Sequence, residues 1–212
     1  MSKLYFIRHA ESEANKQRIL ASRQSFPITP AGRQDAVRIA TELEALVPIN
    51  GIITSPLLRA RQTAEVFGNL YNCRMSEDER LSEQDLGPFS GMNYDEVKNY
   101  PEYEMDPLKR WDWIPTLNNG SNTGESYAMV ADRVTDFLGS LGNLADDSHT
   151  LIVTHAVVFR LLRAVLENCL PEYPRDFPNN GEIWKVEFRG LGFRHDIESI
   201  FLGDSRDFIH NP

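Results

Sequence analysis

Leu4-Tyr5-Phe6-Ile7 runs directly into Arg8-His9, and the same order of events recurs twice further along the chain. Gly51-Ile52-Ile53-Thr54 leads into Ser55-Pro56 with Arg59 just beyond, and Thr150-Leu151-Ile152-Val153 leads into Thr154-His155. Each run is short, apolar and of strand type, and each closes on polar residues. Helical spacing fills the intervals. Thr29-Pro30 has the form of a helix start, with threonine as cap and proline in the first turn. Ala36, Val37, Ile39, Ala40, Leu43, Leu46 and Val47 follow on one face. Ser55-Pro56 repeats the signal ahead of Ala60, Ala64, Phe67 and Leu70. Asn122-Thr123-Gly124-Glu125 has the pattern of a capping box. It precedes Tyr127, Val130, Ala131, Val134, Phe137, Leu138 and Leu141, and Val157–Leu166 is the helix after the third run. Glu182–Phe188 and Arg194–Leu202 read as closing strands joined at Gly190-Leu191-Gly192 as a hairpin. The alternation predicts an α/β fold, a three-layer α/β/α sandwich with a mainly parallel central sheet.

Between about residues 75 and 122 the pattern is irregular and rich in Pro, Gly, Tyr and Trp. We read it as an excursion over one end of the sheet, with short helices near 93–99 and 107–113. Trp111, Trp113, Tyr94, Tyr100 and Tyr103 either line a substrate mouth or pin the excursion to the sheet edge. No repeat, low-complexity tract or linker divides the chain, so residues 1–212 are expected to form a single domain.

The 212 residues carry 22 Lys+Arg against 31 Asp+Glu, a formal net charge of −9. Such acidity argues against a general nucleic-acid binder, which presents a basic stripe or patch. No apolar run approaches the roughly 18 residues of a membrane span. The apolar run before Arg8 is only the four residues Leu4–Ile7, too short for a signal peptide. Cys73 and Cys169 lack the spacing of a disulfide framework or a zinc site. The expectation is a cytoplasmic protein with no nucleic-acid and no membrane partner.

In an open α/β sheet, ligands bind beyond the carboxyl ends of the strands. A lone histidine at such an end is ordinarily structural, and a lone Arg59 is ordinarily as solvated as Arg38 or Arg61. Arg8-His9, Arg59 and His155 together, each near a helix N-terminus, instead describe an oxyanion pocket. A zinc site on His9 and His155 is the competing reading. The flanking arginines repel a cation, and no HExxH or HxH pattern is present.

Arg8-His9-Ala10-Glu11-Ser12-Glu13-Ala14-Asn15 is close to the RHGE(S/T)xxN signature of the histidine phosphatase superfamily, branch 1, which includes the cofactor-dependent phosphoglycerate mutases. The resemblance continues in family order. Ile28–Gly32 is similar to LTxxG, and Ser55-Pro56-Leu57-Leu58-Arg59-Ala60-Arg61-Gln62-Thr63-Ala64 to SPLxRAxQTA. Leu81-Ser82-Glu83 with Gly87 and Gly91 looks like the stretch carrying the family's acid, Gly124-Glu125-Ser126 like GES, and Val153-Thr154-His155 like VSH. Carried over, the resemblance implies that His9 is the nucleophile and Glu83 the proton donor and acceptor. It implies that Arg8, Arg59 and His155 clamp the phosphoryl oxygens and stabilise the transition state. Ser12, Asn15 and Ala156 complete the expected substrate contacts. Positive charge beside His9 favours its neutral, nucleophilic form. No metal and no cofactor is required, since arginines supply the charge.

The departures lie in the walls. Ala10 replaces a glycine, Ala21-Ser22 stands in place of a QG pair, and Gly87–Gly91 lacks an aromatic-acidic pair. Lys109-Arg110-Trp111-Asp112-Trp113 lacks the paired arginine associated with mutases, and its insert is short. The expected activity is therefore hydrolysis of a small phosphorylated metabolite. A phosphoglycerate mutase-type phosphotransferase is the alternative, followed by a non-catalytic phosphate-sensing protein. Phosphoprotein hydrolysis is a further substrate class open to the fold. Gly181–Leu202 offers either an edge for a homodimer or simply a closing hairpin.

Overall fold

The computed structural model describes residues 1–117, 120, 123–144 and 147–203. Among these, six strands form one sheet in the order β3-β2-β4-β1-β5-β6. The strands are β1 (Ser2–Arg8), β2 (Gly51–Thr54), β3 (Arg74–Glu77), β4 (His149–Thr154), β5 (Ile183–Phe188) and β6 (Ile197–Phe201). The first four in that order are parallel, while β5 runs antiparallel to β1 and β6 antiparallel to β5. The three apolar runs are thus adjacent strands, and the closing hairpin extends the sheet from β1.

Side chains alternate across β1. Leu4 and Phe6 enter one core with Val130, Val134 and Phe137, and Tyr5 and Ile7 enter the other with Ile39, Leu43 and Phe67. A strand buried on both faces reads as a continuous apolar run, as a parallel central strand should. Helices α2 (Pro30–Glu44) and α3 (Leu58–Tyr71) cover one face; α5 (Tyr127–Ser140) and α6 (Ala156–Leu166) cover the other. This is the expected three-layer sandwich.

Several boundaries differ from the expectation. Strand β3 was not foreseen, because all four of its residues are exposed and no apolar run marks it. Val37 is 51% exposed, so the face of α2 is narrower than the spacing suggests, and Leu46, 71% exposed, lies beyond the end of the helix. Helix α3 begins at Leu58 rather than at Pro56, without a side-chain cap. Asn122 lies outside the described residues; the cap of α5 is Ser126, whose hydroxyl accepts from Met129 N–H. Thr29 does cap α2, accepting from Gly32 N–H, an interaction worth about 1 kcal/mol. Gly32 is required there, since a Cβ would fall 2.3 Å from the Glu11 carbonyl oxygen. β1 is followed by a turn and the four-residue α1 (Glu13–Lys16), so no long helix points its N-terminus back at Arg8.

The excursion contains α4 (Tyr94–Val97) and short 3-10 turns at Gly87–Phe89 and Pro107–Lys109. It has its own small core of Leu86, Phe89, Val97 and Tyr103.

Candidate active site

Arg8, His9, Arg59 and His155 converge beyond the carboxyl ends of β1, β2 and β4, and all four are buried. Registry explains the convergence: Arg8 of β1 lies beside Thr154 of β4, and Thr54 of β2 beside Val153. The next residue from β1 and from β4 is a histidine, and their rings lie 5.1 Å apart between centroids.

His9 has a defined orientation. Its Nδ1 sits 2.8 Å from the Ala10 carbonyl oxygen. A carbonyl only accepts, so Nδ1 carries the proton and Nε2 keeps its lone pair. Arg59 Nε donates to that Nε2 at 3.2 Å. Burial, then the charges of Arg59 and Arg8, hold the His9 pKa well below 6.5. The ring is neutral at physiological pH. Ala10 is absent from the positive-φ residues, so the loss of a glycine there is harmless.

Arg59 is held from every side. Beyond its bond to His9, Nη1 donates to the Gln24 carbonyl at 3.0 Å and Nη2 to the Ser22 carbonyl at 2.7 Å. Burial pulls its pKa down to about 10, which still leaves it charged at neutral pH. Arg8 Nη1 donates to the Pro178 carbonyl at 2.7 Å. Asn180 Nδ2 donates to the His9 carbonyl at 2.7 Å, fixing the backbone of the same dipeptide.

These groups open on a cavity of about 510 Å³ lined by Arg8, His9, Ser12, Asn15, Arg59, Glu83 and Ala156 among others. Seven of the eight residues singled out in the sequence therefore share one cavity. His155 is the exception: it is fully buried behind His9 and is not among the lining residues. Its Nε2 lies 2.7 Å from Ser55 Oγ, so Ser55 orients a histidine instead of capping α3. Burial, followed by the charge of Arg59, lowers the His155 pKa well below 6.5. Ser12 and Asn15 form a capping box for α1, with Ser12 Oγ donating to Asn15 Oδ1 at 2.7 Å. Glu83 is half-buried; its Oε1 accepts from Gln84 N–H at 2.9 Å, and its Oε2 lies 3.5 Å from Val157 N in the first turn of α6.

The family model of the histidine phosphatase superfamily (branch 1) matches residues 4–196. The chain belongs to that superfamily. It is an enzyme of the histidine phosphatase type. Among curated relatives, "Probable phosphoglycerate mutase GpmB" of Escherichia coli O1:K1 is 31% identical over 167 residues, covering 76% of this chain and 73% of that protein. Among solved structures, Bacillus stearothermophilus YhfR is 28% identical with a TM-score of 0.76, covering 96% of this chain and 98% of its own. A mycobacterial glucosyl-3-phosphoglycerate phosphatase superposes with a TM-score of 0.80 at 21% identity, over 96% of this chain and all of that one, a likeness of fold.

The far wall comes from elsewhere in the chain. Here Leu86, Tyr94, Tyr103, Met105, Arg110, Arg175 and Phe177 complete the cavity. The aromatic residues divide between the two expectations. Tyr94 and Tyr103 face the cavity; Trp113 packs on Phe89 and Tyr103, and Trp111 stacks on Tyr173. Arg110 is buried between the Tyr103 and Trp113 rings, and its Nε and Nη2 both donate to the Glu104 carbonyl. Sequence reasoning missed Ser22, Pro178 and Asn180. Two of these act through backbone carbonyls, which leave no trace in residue type. Among the described residues no three His, Cys, Asp or Glu side chains are grouped to hold a metal ion, and no helix is long and apolar enough to cross a membrane.

Proposed function

We propose that the protein is a phosphomonoesterase hydrolysing a small phosphorylated metabolite through a phosphohistidine on His9, without a metal. The observation that carries this reading is the fixed tautomer of His9, with Nδ1 bonded to the Ala10 carbonyl and Nε2 held by Arg59. A neutral imidazole whose unprotonated Nε2 faces the Arg59 guanidinium, with Arg8 lining the same cavity, is a prepared nucleophile for a phosphoryl dianion once the ester takes over the Arg59 donor. In the first step Nε2 bonds to phosphorus as the ester P–O bond breaks. The leaving oxygen takes the proton of the Glu83 carboxyl group. In the second step water attacks the phosphohistidine, its proton passes to Glu83, and the N–P bond breaks to release inorganic phosphate. Arg8 and Arg59 meet the charge on the non-bridging oxygens. His155 lies outside the cavity lining with its Nδ1 unpartnered in the described structure, and its part in stabilising those oxygens is proposed from the resemblance and from its place beside His9. Ser12, Asn15 and Ala156 line the same end.

The test is turnover of p-nitrophenyl phosphate by His9→Ala, in buffer and in EDTA. The variant is expected to fold and to lose at least about 10³-fold in kcat, while EDTA leaves the wild-type rate unchanged. Retained turnover in the variant overturns the nucleophile; loss in EDTA restored by Zn²⁺ or Mg²⁺ overturns the metal-free reading. Wild-type protein that binds phosphate and turns over no ester supports the phosphate-sensing alternative.

A second reading, a phosphoglycerate mutase-type phosphotransferase, is favoured by the name of the 31%-identical relative. Isomerisation of 3-phosphoglycerate that depends on 2,3-bisphosphoglycerate and releases no phosphate would select it.

A further inference from the structure

Glu83 sits on a segment with little regular structure, between the 3-10 turn at Glu79–Leu81 and that at Gly87–Phe89. A carboxyl group that must meet a leaving oxygen within hydrogen-bond reach needs its backbone held, and no helix or strand does so here. The holding comes from Glu125, outside the cavity. Its carboxylate receives Arg133 Nε and Nη2 at 3.1 Å each, Arg23 Nη2 at 3.0 Å, and the Asp85 backbone N–H at 3.0 Å. Its own backbone pairs with the same segment: Glu125 N–H donates to the Asp85 carbonyl at 2.8 Å, and Gln84 Nε2 donates to the Glu125 carbonyl at 2.6 Å. Gly124 makes the approach possible, since a Cβ there would lie 2.3 Å from the Asp85 oxygen.

The two arginines gathered by Glu125 then reach the acid's own peptide unit. Arg133 Nη2 and Arg23 Nε both donate to the Glu83 carbonyl at 3.3 Å, and Arg133 Nη1 donates to the Arg80 carbonyl at 2.6 Å. Arg23 adjoins Ser22, whose carbonyl holds Arg59 and whose hydroxyl donates to the Gln84 carbonyl and accepts from Leu86 N–H. The loop that clamps the phosphate arginine and the segment that carries the acid are thereby joined at one carboxylate.

We infer that Glu125 is a positioning residue for proton transfer by Glu83, acting through Arg133 and Arg23 without touching substrate. The inference rests on the proposed role of Glu83. It is tested with kcat/KM for a series of phosphate monoesters ordered by leaving-group acidity, from p-nitrophenyl phosphate through phenyl phosphate to an alkyl phosphate. A good leaving group departs without a proton and a poor one requires it. Glu83→Gln is expected to steepen the dependence most. Glu125→Gln is expected to steepen it in the same sense, losing about tenfold or more on phenyl and alkyl phosphates and several-fold less on p-nitrophenyl phosphate. Arg23→Met, a change at an exposed side chain that spares the core, is expected to show a smaller shift of the same sign. Equal losses across the series in Glu125→Gln, or an unchanged slope in both variants, overturn the positioning role while leaving Glu83 intact. An unchanged slope in Glu83→Gln itself overturns the acid assignment and this inference with it.

Discussion

The strand-end cluster and the excursion over it both line one cavity, and they are built on opposite principles. Arg8, His9 and His155 are placed by the register of parallel strands, and Arg59 by the first turn of the helix after β2. Arg8 is held by the Pro178 carbonyl, Arg59 by the Ser22 and Gln24 carbonyls, His9 by the Ala10 carbonyl and His155 by Ser55. The excursion places Tyr94, Tyr103 and Arg110 on short turns, held by a core of four buried side chains of its own. Phosphoryl chemistry needs sub-ångström placement, which strand ends provide. Recognition of the rest of a substrate tolerates, and profits from, a wall that can change without disturbing the sheet. The difference teaches that the proposed reacting groups stand on the sheet, while part of the remaining cavity wall stands on short turns with a separate small core.

The largest effect that tests this contrast is at the clamp. Arg59→Met should lower kcat/KM for p-nitrophenyl phosphate by about 10²–10³-fold, while far-ultraviolet circular dichroism stays native. A loss below about threefold would mean that the strand-end cluster does not hold the phosphoryl group. Next is the excursion's own core. Phe89→Ala removes a fully buried ring that meets Tyr100, Tyr103 and Trp113, and should cost about 3 kcal/mol locally. Hydrogen exchange should speed up across 86–113 while β1 and β4 keep their protection. Equal loss of protection in both regions would show that they unfold as one unit, and the comparison would break.

The smallest effect is a pH dependence confined to the strand-end side. His9 and His155 have folded pKa values well below their ordinary 6.5, through burial and the charge of Arg59. Below pH 6.5 the unfolded chain therefore takes up protons that the folded chain refuses. Their contribution is fully present above 6.5 and is lost as the pH falls toward the depressed values, by up to about 1.4 kcal/mol per pH unit for each group. Urea midpoints measured from pH 8 to pH 5 should fall, and His9→Ala should flatten that slope. An identical slope in the variant would show that His9 accepts a proton in the folded state.

Much of the architecture is legible in the sequence. Leu4–Ile7, Gly51–Thr54 and Thr150–Val153 announce themselves because strands buried on both faces must be apolar throughout. Thr29 is a readable cap because its hydroxyl satisfies a helix N–H that has no other partner. Strand β3 was not legible, since an exposed edge of Arg74-Met75-Ser76-Glu77 carries no apolar signal and is specified by its ladder to β2. The same distinction divides the site. Arg8, His9, Ser12, Asn15, Arg59, Glu83 and His155 could be named because their side chains are chemically particular and stand in recognisable order.

What the sequence determined alone is the set of candidate groups, because residue type decides which atoms can attack, donate or carry charge. Tertiary structure decided how those atoms are held and which of them face a ligand. It fixes the proton of His9 with the Ala10 carbonyl, aims Arg8 with the Pro178 carbonyl and Arg59 with the Ser22 and Gln24 carbonyls, and sets His155 behind the cavity. Each of those holders is a peptide oxygen, which every residue possesses. Only the path of the folded chain determines where it points.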